Sequence, residues 1–223
     1  MRKKIYPAEI KAIFILLFFF ITGIFFHLLP LTRSIVVNLT SLFLFTTSAT
    51  VLYFVFTYNT TPYLRLWFIS FFVFTFLIES LGVKTGIIFG AYFYGDTLHP
   101  QLFNVPLIIG INWVILMMAT YSIATYFFKS TLPVLLFSPL LIVAFDWVLE
   151  PVAIELDYWY WLNVDVPIQN YITWFVISLI GTSFLWLKKV DLNIKILRVF
   201  FIAQFAFFFF LLMSILYFDM TYQ

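Results

Sequence analysis

Glu79, Asp146 and Glu150 stand inside long apolar stretches of the chain. An ionised acid in membrane hydrocarbon costs about 2.5–3.5 kcal/mol even on the lowest scales, so such acids are paired, protonated or put to use. Asp146 and Glu150 are four residues apart, which places them on one helical face, one turn from each other. Two acids stacked in this way repel if both ionise, so at least one of the three is expected to hold a proton near neutral pH. A protonated carboxyl beside an ionised one is the pairing that general acid–base chemistry uses. The same acids could instead serve as hydrogen-bonding glue between helices, or pair with Lys84 or Arg33.

The elements that must position them follow from hydropathy. The chain has 223 residues, 64% apolar and 10% charged, with 32 Phe, which excludes a water-soluble globular domain. Apolar runs of roughly twenty residues occur at about 12–29, 35–58, 64–82, 102–128, 132–151, 171–187 and 196–218. The expected fold is all-α: a polytopic integral membrane protein, a bundle of about seven transmembrane helices forming a single domain over 1–223. Met1-Arg2-Lys3-Lys4 before the first run imitates a secretory signal, but no small-residue cleavage site follows it and six further runs do. The first run is therefore read as a retained helix.

Counting Lys and Arg gives the orientation. With the N-terminus cytoplasmic, ten basic residues lie inside and only Arg33 and Lys84 outside. The expected place is the cell (inner) membrane, with the C-terminus outside. The charge of +2 mostly reflects this bias, and no basic patch points to nucleic acid. The chain has no Cys and two separated histidines, His27 and His99. Neither a cysteine-held metal nor a histidine-rich di-iron site can be built from these, so no metal and no cofactor are expected.

Depth can be read from the cytoplasmic boundaries. Glu79 is fourteen residues beyond Arg65 and Asp146 fourteen beyond Leu132. At about 1.5 Å per residue both sit about 21 Å up, in the outer third of a core about 30 Å thick. The fourth run brings Asn112 and Trp113 toward this layer, and the sixth begins with Asn170, Thr173 and Trp174 at a similar height. Glu150 lies one turn further out, just before Pro151, which is expected to end its helix. The two long connections, 83–101 and 152–170, both fall on the outer side. The first spaces Gly82, Gly86, Gly90 and Gly95 among aromatics and is expected to fold back over the bundle. Trp147, Trp159, Trp161 and Trp174, with Tyr158 and Tyr160, form either an interfacial aromatic belt or a ligand lining.

Several of these blocks resemble a known family. They are Glu79-Ser80-Leu81-Gly82-Val83-Lys84-Thr85-Gly86 with Gly90-Ala91-Tyr92-Phe93-Tyr94, Val105-Pro106-Leu107 with Asn112-Trp113, Asp146-Trp147-Val148-Leu149-Glu150-Pro151, Tyr158-Trp159-Tyr160-Trp161, and Pro167-Ile168-Gln169-Asn170 with Trp174. In this order they look like the membrane carotenoid hydratases, the γ-carotene and bisanhydrobacterioruberin hydratases. The likeness covers nearly half the chain; the outer helices match only in hydropathy. The family usually carries Tyr-Gly before the proline of the last block and Gly before its tryptophan. This chain has Val164-Asp165-Val166 and Thr173 there, which leaves room for a different end-group preference.

The resemblance implies addition of water, without a cofactor, to the terminal double bond of an acyclic ψ end group of a membrane-embedded carotenoid, giving a tertiary alcohol. On that reading Asp146 donates the proton, Glu79 positions the water and Glu150 assists, although donor and base could be exchanged. Trp113, Trp147 and Tyr92 are the expected stabilisers of a carbocation, and Asn112, Asn170 and Trp174 complete the expected substrate site. A proton-coupled transporter, or another cofactor-free isoprenoid lipid enzyme, is the alternative. A retinal protein is excluded because the last run has no mid-membrane lysine, and no aspartate-rich diphosphate motif is present.

Overall fold

In hydrocarbon every backbone N–H and C=O must be satisfied within the protein, which leaves the helix as the form open to these apolar runs. A computed structural model describes residues 7–163 and 165–221. The structure is an all-α polytopic bundle, 78% helical, with eight helices among the described residues, seven of them long and apolar enough to span a membrane. Arg2, Lys3 and Lys4, which contribute to the expected orientation, lie outside the described residues, as does Val164.

The helices are α1 (Pro7–Leu28), α2 (Pro30–Asn38), α3 (Thr40–Tyr58), α4 (Pro62–Thr85), α5 (Leu107–Phe127), α6 (Thr131–Glu155), α7 (Ile168–Leu187) and α8 (Lys195–Thr221). Helix α5 is the axis: it packs on α3, α4, α6, α7 and α8, and most of it is buried. It can be central because it carries no charge and offers small side chains such as Ala119, Ser122 and Ala124 to its neighbours. A ladder of hydroxyls crosses the bundle, Thr120 to Ser138 at 3.0 Å and Ser138 to Thr182 at 3.1 Å, joining α5, α6 and α7. The Trp67 indole donates to the Gly181 carbonyl at 3.1 Å and ties α4 to α7. At the other end of the bundle Glu9 accepts from the Ile196 N–H at 3.0 Å and the Tyr58 hydroxyl at 2.9 Å. It thereby satisfies a free donor at the start of α8 and fastens α1 and α3 to it.

The two long connections meet over the opposite end. Strand β1 (Tyr92–Tyr94) pairs antiparallel with β4 (Trp159–Trp161), in the register Tyr92 to Trp161 and Tyr94 to Trp159. A second small pair, β2 (Gln101–Leu102) with β3 (Val105–Pro106), leads into α5. Asp157, at φ +58°, holds the two connections together: it accepts from the Tyr160 hydroxyl at 2.5 Å and the Asp96 N–H at 3.1 Å. Gly90 has φ +113°, and a Cβ there would meet Pro167 at 2.6 Å, so only glycine lets this part of the cover lie against the start of α7.

Three of the differences from the expected boundaries have a local reason. Helix α6 continues through Pro151 to Glu155, because Val152 and Ala153 are packed with no exposure and hold the next turn despite the missing hydrogen bond. The expected second run divides into α2 and α3 at Leu39, since apolarity alone does not mark a bend between two helical segments. The expected fourth run loses its first five residues to the β2–β3 turn, where Phe103 and Asn104 both adopt positive φ.

Candidate active site

Helices α4 and α6 carry their acids to one cavity beneath the β1–β4 cover. Glu79, Asp146 and Glu150 all line it, and each is at most 3% exposed. Its volume is about 50 Å³, room for a few waters at roughly 10–15 Å³ of such space each. Each acid lies within electrostatic range of the others: Glu79 feels the charge of Glu150, and Asp146 feels both.

The three are held differently. Glu150 accepts from the Trp159 indole at 2.9 Å, the Trp161 indole at 2.8 Å and the Asn170 amide at 3.1 Å. An indole N–H can only donate, so these contacts suit an ionised carboxylate. Glu79 accepts from the Tyr92 hydroxyl and from the Tyr94 hydroxyl, the latter at 3.0 Å. Burial first, and then the neighbouring Glu79, push both phenols well above their ordinary pKa, so they stay O–H donors. Asp146 has a single side-chain hydrogen bond among the described residues, from Asn170 at 2.7 Å to Oδ2. The Asn170 amide therefore bridges Asp146 and Glu150, and Asp146 Oδ1 is left without a donor.

Aromatic rings complete the wall. Trp113 and Trp174 stack with an interplanar angle of 16°, and Phe89 stacks on Trp174 at 5.2 Å between centroids. A Cβ on Gly82 would meet the Phe89 ring at 2.6 Å, so glycine at the end of α4 lets Phe89 drop into this stack. Tyr92 and Trp161 face each other at 5.1 Å across the strand pair.

The structure thus brings together Glu79, Asp146, Glu150, Tyr92, Asn112, Trp113, Asn170 and Trp174. It does not bring Trp147. That side chain is 63% exposed on the outer face of α6, because one residue beyond Asp146 the helix has turned about 100° away. Phe89 and Gln204 also line the cavity and are not singled out by the sequence; Tyr94, Trp159 and Trp161 line it too, although the sequence marks them only as members of the resemblance blocks and, for the tryptophans, of a belt or lining. The signal for the strand residues is the spacing by two, Tyr92 with Tyr94 and Trp159 with Trp161, which puts each pair on one strand face. Asn112 lines the cavity, and its carbonyl oxygen accepts from the Gln204 amide at 3.1 Å. Among the described residues no group of three or more His, Asp or Glu side chains is placed to hold a metal ion.

Against known protein families, residues 38–222 match the family described as carotenoid biosynthesis protein. The chain belongs to this family. The match takes in every cavity-lining residue named above and the six helices α3 to α8, and leaves out α1 and all of α2 but its last residue. No curated protein and no solved structure matches the chain.

Proposed function

We propose that this protein hydrates the terminal isopropylidene double bond of an acyclic carotenoid end group. The π electrons of the alkene take the proton of Asp146 at the less substituted carbon, forming a C–H bond and a tertiary cation. A water held by Glu79 forms the C–O bond at that cation and gives up a proton to the Glu79 carboxylate. Passage of that proton back to Asp146 through cavity water restores the starting state, so atoms and charge balance with no other reactant.

The observation that carries the reading is a water-sized cavity with three carboxyl groups, walled by stacked indoles, in a member of a carotenoid biosynthesis family. Different hydrogen bonding gives the acids different tasks. Glu150, with three donors, anchors Asn170; Asp146, with one, keeps an oxygen free to carry the proton. Trp174 is stacked between Trp113 and Phe89, and the face of Trp113 turned away from Trp174 is the one left to stabilise a cation, by about 0.5–2 kcal/mol. Expression in cells that accumulate lycopene or γ-carotene, followed by mass analysis of the pigments, tests the reaction. A gain of one water is expected; unchanged pigments would refute it.

A further inference from the structure

The cavity holding the acids is too small for a whole polyene chain, but it does not stand alone. A second, far larger space of about 710 Å³ lies between α1, α2, α3 and α8, within the roughly 300–1,000 Å³ typical of sites for small organic ligands. Its wall is almost wholly apolar, with Phe19, Phe26, Val36, Phe43, Thr47 and Phe207 among its lining. Four residues, Leu44, Tyr158, Gln204 and Phe208, line both spaces. The groove and the acid cavity therefore share a wall.

We propose that this groove holds the polyene of the substrate, with its reactive end passing the Leu44, Tyr158, Gln204 and Phe208 threshold to reach the carboxyl groups. The inference rests on the hydratase reading for the identity of the polyene, and on geometry for its place. Helix α1 is only 17% buried across its apolar window, and α2 has no buried residue, so the groove is flanked by elements that face lipid and admit a ligand sideways. On its wall Gly23 and Phe207 approach closely, and a Cβ on the glycine would meet the ring at 3.3 Å. Gln204 makes the threshold polar, as His27 and several threonines do elsewhere along the wall. Gln204 is 1% exposed and donates to Asn112, while its own carbonyl oxygen is buried without a partner. That oxygen is an acceptor for water, or for the hydroxyl of the product, at the point where apolar groove gives way to acid cavity. Neighbours in sequence serve both sides: Tyr158 forms part of the threshold while Trp159 donates to Glu150.

The test is retention of lycopene by the full chain purified in detergent, read by its visible absorption and by mass analysis of bound lipid. Wild type, Asp146→Asn and a control, Val73→Trp on the exposed face of α4, are expected to retain it. Val36→Trp and Thr46→Trp, which fill the groove from α2 and α3, are expected to lose retention by at least about tenfold, with monodispersity and melting unchanged. Loss in both groove variants with retention by the control supports the groove, even if no variant hydrates anything; in that case the reaction falls and the binding site stands. Equal retention in the groove variants, no retention by wild type, or phospholipid in the groove that lycopene does not displace would each overturn it.

Discussion

At the scale of single residues, the acids differ in what remains free to react. Asp146 keeps one oxygen without a donor, so Asp146→Asn removes the transferable proton while preserving the hydrogen bond to Asn170. Hydration should fall by about 10²–10⁴-fold, with membrane abundance near wild type, as pigment analysis beside immunoblotting would reveal. Glu79→Gln should behave alike, and full turnover in both variants would remove the site. Trp147 makes the opposite prediction. Its ring faces outward at 63% exposure, so Trp147→Phe should leave turnover intact and shift stability by no more than about 0.5 kcal/mol. Tyr92 and Tyr94 fix a feature of the pH profile. Because burial and Glu79 raise both phenols, these hydroxyls remain protonated through and above their usual range. No alkaline loss of activity should therefore arise from them below about pH 10; a fall centred near pH 9 that disappears in Tyr92→Phe would contradict this. The acids could be recognised in the chain because charge in hydrocarbon is conspicuous. The face a tryptophan takes is not, since Trp147 and Trp159 are equally at home at an interface.

At the scale of elements, the cover over the cavity depends on a few close approaches. Gly82 lets Phe89 pack against the end of α4 and stack on Trp174. Gly82→Val must push that ring out, which costs about 1–3 kcal/mol as overpacking and loosens the wall of the site. A lowered melting temperature together with a drop in hydration is expected; an unchanged melting temperature with wild-type turnover would show that Phe89 does not seal the cavity. The spans themselves were legible because about twenty apolar residues leave no other backbone solution than a helix. The β1–β4 pairing was not. Three-residue strands have too little pattern to read, and partners such as Tyr92 and Trp161 come from separate connections, so nothing local marks their register. Pro151 misled for a related reason: proline weakens a helix locally, but packing of Val152 and Ala153 decides whether the helix goes on.

At the scale of the whole molecule, the distribution of polar groups separates an enzyme from a proton-coupled transporter. A transporter needs a site that opens to both membrane faces in turn. Here the acids lie beneath a two-stranded cover at one end of the bundle, and Asp146 comes fifteen residues after the start of α6, or about 22 Å along the helix. The interior on the far side of the acids is occupied by the fully buried α5 stretch that includes Ile115, Leu116, Met117 and Met118. The hydroxyls of Thr120, Ser138 and Thr182 that cross it are bonded to one another rather than aligned toward the acids. Access from one side suffices for a reaction that consumes only an alkene and water, and supplies no reason for a gradient. The purified chain in detergent should therefore hydrate a ψ-ended carotenoid with no membrane potential, and in vesicles an uncoupler should leave the rate unchanged. Activity that vanishes on solubilisation and collapses with the uncoupler, in protein shown to remain folded, would instead assign these acids to a proton pathway.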